Sequence, residues 1–197
     1  TDPDAIAQFN HATYTWGNFN DYAYYSKEAD ARIDLFEFNK ETYEEEYARC
    51  LSKGWHVSPS HNEDNHSGNW GSASSRCGKV IAGSLTKDNV IEAIKKNRTY
   101  AVADPKTYME YKINGQWMGS ILKNPTELNF DIIVAHGERA QTGRLRIITE
   151  DSIVVYDRTF TQADLVNHPR YKHPVIHITD LKLPVEYDYY YVAFIDS

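Results

Sequence analysis

Cysteine is scarce in this chain: Cys50 and Cys77 are too few for a disulfide scaffold and lack the paired spacing of a thiolate metal site, so each reads as a structural thiol. Positive charge is short as well. Against 28 aspartates and glutamates stand 21 lysines and arginines, a net charge of -7 with no basic stripe interrupting it. That balance argues against nucleic acid as the main partner, and Lys95-Lys96 with Arg98 reads more simply as the cationic last turn of a helix. No apolar run approaches the ~18 residues of a membrane-spanning helix, so no membrane association of that kind is expected. Internal repeats and low-complexity tracts are also missing. What remains is globular: 41% hydrophobic and 25% charged residues over 197 positions suffice for one sizeable core or two small ones.

The most informative stretch is Ser60 to Trp70, which packs His61, Glu63, Asp64 and His66 into six positions without an apolar residue among them. Imidazoles and carboxylates are the usual ligands of Zn²⁺, Mn²⁺ or Fe²⁺, and Asp64-x-His66 can aim both groups to one side of an extended segment. The same Asn, Asp, Ser and Gly composition also suits a solvated turn. Its context favours the first reading. Gly54 to Pro59 reads as a short buried strand, and the cluster follows its C-terminal end, where α/β enzymes collect ligands and catalytic groups. Two earlier runs behave alike: Ala5 to Phe9 ends at Asn10-His11, and Arg32 to Phe36 ends at Glu37-Phe38-Asn39.

Periodicity divides the chain at about Asp104-Pro105. Residues 1–104 alternate strand and helix: Glu41 to Lys53 forms an acidic-to-basic helix with Tyr43, Tyr47, Cys50 and Leu51 on one stripe and Gly54 as its cap, Lys79 to Gly83 is a buried strand, and Thr86 caps a helix to about Asn97. In residues 105–197 short strands take over, at Tyr108 to Ile113, Leu128 to Ala135, Arg144 to Ile148, Ile153 to Tyr156, Val175 to Ile178 and Tyr187 to Ile195. Their spacing suggests a small antiparallel β-sandwich, with Asn114-Gly115 as its clearest hairpin turn. The chain begins without Met and stops just after a strand-like run, so it is expected to be a fragment of a longer protein.

Several of these motifs together resemble a known family. Asn10-His11, the segment Gly54 to Gly71 with Asp64-x-His66 at its centre, Leu85-Thr86 with Ile91-Glu92-Ala93-Ile94, Asn97 to Ala101, and Asn114-Gly115 with Met118-Gly119 resemble the polymerase and histidinol phosphatase metallohydrolases, nearest to the carbaryl-hydrolase-like branch. The resemblance implies an α/β part built as the C-terminal portion of a distorted, TIM-like β/α barrel, followed by the all-β sandwich. It also implies two or three divalent ions (Zn, Mn or Fe) at the strand ends of the complete protein, and hydrolysis of a small phosphorylated or ester substrate. Carried over residue by residue, the family's late His matches His11, and its terminal Asp-x-His matches Asp64 and His66 as metal ligands. The family's early His-x-His has no counterpart here, which implies that a missing N-terminal part of the same protein completes the site. His11 is followed by Ala12 where the family often has Pro, a departure that concerns the turn. The resemblance leans toward an extracellular or periplasmic setting.

In that scheme Asp64 also orients a metal-activated water and His61 is a catalytic candidate, while Glu37, Asn39, Asn62 and Arg76 face the substrate. Each of the latter group has a plain structural reading too: strand-end carboxylates cap helices, and lone arginines pair on the surface. Tyr14, Trp16, Phe19 and Trp70 line a substrate mouth or pack on their own domain. The alternative function is a non-catalytic binding module, in which the sandwich recognises a glycan or a protein and the polar cluster is a decorated loop. On the first reading the parent protein is a metal-dependent phosphoesterase, and the 197-residue chain alone is inactive.

Overall fold

The structure, a computed structural model, describes residue 2 and residues 4–197, with Glu41 described in its backbone only. The chain falls into two compact units, one running to Pro105 and the other spanning Lys106–Ser197.

In the first unit β1 (Gln8–Phe9), β2 (Leu35–Glu37) and β3 (Ser58–Ser60) form a parallel sheet in the order β1-β2-β3. Helix α1 (Lys27–Asp30) lies in the first crossover, and α2 (Glu44–Ser52) in the second. The sequence dictates α2 clearly. Glu44, Glu45 and Glu46 crowd its N-terminus and Arg49 its last turn, which suits the helix dipole, and Tyr43, Tyr47 and Cys50 turn inward and are buried. Thr86 caps α3 (Lys87–Lys95) by accepting from the Asn89 N–H at 3.4 Å. On either side of α3, β4 (Cys77–Val80) and β5 (Thr99–Val102) pair antiparallel.

These elements do not build the expected TIM-like barrel. Barrel closure requires every edge strand to find a further neighbour. Here the parallel strands are two or three residues long and end as an open three-stranded sheet, while β4 and β5 satisfy one another in a separate ribbon. Only 15% of the chain is helical, too little to clothe a barrel. The alternation of strand and helix was legible; the closure was implied by the family resemblance alone, and it is corrected to small mixed sheets.

An aromatic core compensates for the short strands. Phe9, Tyr22, Phe36, Tyr47 and Trp55 are all buried, with Phe9 and Trp55 edge-on at 5.0 Å and Phe36 and Tyr47 tilted at 5.4 Å. Leading into Tyr22 is an unusual turn. Phe19, Asn20, Asp21 and Tyr22 all have φ between 54 and 56°, a left-handed helical turn without a glycine, closed by the Tyr22 N–H donating to the Asn18 carbonyl at 2.9 Å. Each such residue carries roughly 1–2 kcal/mol of steric cost, so tertiary contacts must hold it. They are present: the Trp55 indole N–H donates to the Tyr22 carbonyl at 2.9 Å, Phe19 packs on Phe9 at 4.9 Å, and Lys53 pairs with Asp21 at 3.0 Å. Asn20 is exposed, and Asn tolerates this conformation where β-branched residues do not. Asn20→Val is therefore expected to lower stability by ~1–2 kcal/mol in urea unfolding, against roughly 0.5 kcal/mol for an ordinary surface change. A neutral result would mean that the turn is not left-handed.

The second unit is β-rich and antiparallel. One sheet has the order β11-β8-β6-β7, comprising β6 (Thr107–Ile113), β7 (Gln116–Trp117), β8 (Leu128–His136) and β11 (Ile176–Leu183). The other has the order β10-β9-β12, from β9 (Gly143–Ile148), β10 (Val154–Phe160) and β12 (Tyr191–Asp196). Asn114 (φ 52°) and Gly115 (φ 76°) make the tight β6–β7 turn, in which both central residues need positive φ. Phe130, Ile132, Leu145, Ile147 and Ile176 are buried and form much of its core. Among the described residues no helix is long and apolar enough to cross a membrane.

Candidate metal centre

Because β1, β2 and β3 run parallel and in register, with Phe9 beside Phe36 and Glu37 beside Ser60, their C-terminal ends share one edge. His11 follows β1, Glu37 ends β2, and His61 to His66 follow β3. Glu37 organises this edge. Its side chain is 1% exposed, and it accepts the His11 backbone N–H at 2.7 Å and meets His11 Nδ1 at 3.1 Å through the same oxygen, Oε2. The other oxygen accepts from Asn39 Nδ2 at 2.5 Å. A neutral His11 that donates an Nδ1 proton to Glu37 would present its Nε2 lone pair outward.

That lone pair faces Asp64. His11 Nε2 lies 3.7 Å from Asp64 Oδ1, and His66 Nε2 lies 3.2 Å from the same oxygen. Both His11 (φ 50°) and Asp64 (φ 47°) hold left-handed backbone conformations, of the kind that persists where surrounding contacts over-determine it. Donor atoms ~2.1 Å from a tetrahedral ion stand about 3.4 Å from one another, and the two observed separations bracket that edge. Two imidazole nitrogens and a carboxylate oxygen also suit a borderline cation such as Zn²⁺. The set is nevertheless incomplete: among the described residues no group of three or more His, Cys, Asp or Glu side chains is arranged to hold an ion. His66 accounts for part of this, since its side chain is 87% exposed and its ring has no anchor besides Asp64. The residues present therefore fit two edges of a coordination shell and not a closed one.

Glu63, counted in the polar cluster, has a different task. Its carboxylate accepts the backbone N–H groups of Gly71 at 2.9 Å and Ser74 at 3.0 Å, which holds it more acidic than an ordinary glutamate and closes residues 63–74 into a self-bonded loop. Inside that loop the Trp70 indole N–H donates to the Asn65 carbonyl at 3.0 Å, and Asn65 accepts from the Ser67 N–H at 2.8 Å. These bonds hold the loop backbone that carries Asp64 and His66.

Beside Asp64 lies an open cleft of about 400 Å³, with His61, Trp70, Arg76 and Cys77 in its lining. Burial, reinforced by the Arg76 charge, pushes the His61 imidazole below its ordinary value despite its bond to the Phe38 backbone, so the ring is neutral near pH 7. Arg76 donates to the Asn39 backbone carbonyl, and the Asn62 N–H donates to Asn39 Oδ1 at 3.3 Å. Glu37, Asn39, Asn62 and Arg76 therefore form one connected network at the strand ends. Trp16 and Tyr14, on the turn after His11, are 78% and 92% exposed and do not pack on their own unit.

Tyr43, on the stripe that the sequence pattern turns inward, is buried. Burial, with the charges of Glu37 and Asp64 adding to it, also raises its phenol above the usual range. Nothing local in the sequence marks this influence, because Glu37 and Asp64 lie on other elements. Compared with known proteins, this chain matches no family model, no curated protein and no solved structure.

Proposed function

We propose that His11, Asp64 and His66 supply part of a divalent-cation site in a metal-dependent hydrolase acting on small phosphorylated or ester substrates, of the polymerase and histidinol phosphatase type that the motifs resemble. The observation that carries this reading is the approach of two imidazole Nε2 atoms to one Asp64 oxygen, one of them backed by a buried carboxylate. A carboxylate–histidine pair of this kind fixes the tautomer and raises the basicity of the ligand. A bound cation would supply the chemistry: it lowers the pKa of its water from ~15.7 toward ~7 and polarises the substrate oxygen.

The chain's own side chains complete the assignment. Arg76, tethered through Asn39, offers its remaining guanidinium donors to a phosphate oxygen in the cleft. Neutral His61 can accept a proton on the same wall. Three donors cannot hold two or three ions, and the 197 residues contain no His-x-His pair, so the other ligands belong to a further part of the protein.

Titration of the purified chain with Zn²⁺ in a calorimeter tests this reading. One weak site is expected in the wild type, lost in Asp64→Ala, with no turnover of p-nitrophenyl phosphate by either protein. Absence of zinc binding, or equal binding by Asp64→Ala, would refute the cation site. Appreciable wild-type turnover would refute the incompleteness of the ligand set.

A further inference from the structure

We infer that Tyr22, carried on the left-handed turn, is a positioning residue for His11. This inference rests on the reading of His11 as a metal ligand, but the geometry behind it stands apart from any ion. Tyr22 is fully buried, and its hydroxyl lies 3.0 Å from the Ala12 carbonyl and 3.0 Å from Glu46 Oε2. Ala12, also fully buried, directly follows His11, so the tyrosine grips the backbone one peptide beyond the ligand.

His11 needs such a grip. Its φ of 50° is uncommon for a residue other than glycine, and three contacts surround it: Glu37 accepts its N–H at 2.7 Å, the Thr13 N–H donates to its carbonyl at 2.7 Å, and the Tyr22 hydroxyl reaches the next carbonyl. In this conformation the ring can place Nδ1 on Glu37 and Nε2 toward Asp64 at once. The left-handed turn gives Tyr22 its reach. A right-handed turn over residues 19–22 would send the ring in another direction, away from the pocket formed by Phe9 and Phe36. The strain of residues 19–22 is thereby coupled to the orientation of His11, eight to eleven positions upstream.

Tyr22 has one proton for two acceptors. Burial and the neighbouring Glu46 keep the phenol protonated, and the charged Glu46 competes with the Ala12 carbonyl for that proton. Replacing Glu46 by glutamine supplies an amide that can donate to the phenolic oxygen, which frees the proton for Ala12. Tyr22→Phe and Glu46→Gln should therefore move His11 in opposite senses.

The experiment is NMR of the imidazole resonances in the metal-free chain, followed by Zn²⁺ titration. In Tyr22→Phe the chemical shifts of the His11 ring are expected to move while those of His56, tied to Asp30 in the same unit, stay in place. Zinc affinity should fall roughly 10-fold. Glu46→Gln should displace the His11 signals the other way, and it remains informative if Tyr22→Phe does not fold. His11 signals that coincide with the wild type in either folded variant would overturn the inference and leave Tyr22 a core residue. If the wild type binds no zinc, the cation site fails by itself, and the metal-free comparison still decides the role of Tyr22.

Discussion

Glu37→Ala is expected to weaken zinc binding by about 10–100-fold and to lower the stability of the first unit by ~2–4 kcal/mol. The two effects share a cause. This carboxylate is buried, accepts from the His11 backbone and the Asn39 amide and meets the His11 ring, so its removal strands half-buried donors and releases the ring that faces Asp64. Glu37→Gln keeps the volume and one acceptor oxygen, so it should recover most of the stability but little of the affinity. Calorimetric titration and urea unfolding separate the two quantities. If Glu37→Ala binds zinc like the wild type, His11 is not held for coordination.

Trp55→Ala is expected to cost ~3–5 kcal/mol, the largest stability effect in the first unit. Trp55 packs edge-on against Phe9 and Tyr25 at 5.0 and 5.5 Å, and its indole N–H satisfies the Tyr22 carbonyl inside the left-handed turn. Truncation removes the packing and leaves that carbonyl without its donor. Trp55→Phe retains a ring and loses only the bond, so about 1–3 kcal/mol is expected from it. Urea unfolding followed by circular dichroism measures both, and a loss below 1 kcal/mol in Trp55→Ala would show that this residue does not anchor the turn.

Elements whose causes are local were legible in the sequence. The acidic start of α2, the Thr86 cap of α3 and the Asn114-Gly115 turn each act within a few residues, and each is found where its signal lies. Strands of the second unit were legible as β-rich runs, whereas in the first unit β5 (Thr99–Val102) went unread because Thr99-Tyr100 closely follows a helix. The left-handed turn had no signal. Phe-Asn-Asp-Tyr holds no glycine, and its conformation is imposed by Trp55, Lys53 and Phe9 from elsewhere in the chain.

The candidate site divides in the same way. His11, Asp64 and His66 were visible as residue types at strand ends, and the structure brings them to one another. Glu37 read more readily as a helix cap, because the bond that defines it spans 26 positions to His11. Glu63 resembled a ligand by composition, yet its partners are the backbone amides of its own loop. The barrel was a property of the resembling family and not of any pattern in these residues, which explains why the structure could depart from it while keeping the strand-end convergence.

The most direct measurement is anomalous diffraction at the zinc edge from crystals of the chain soaked in Zn²⁺. A single peak ~2.0–2.2 Å from His11 Nε2, an Asp64 oxygen and His66 Nε2 is expected, with Glu37 still on His11 Nδ1. An ion bound elsewhere, or no peak between these side chains, would contradict the assignment of this strand-end cluster as a metal centre.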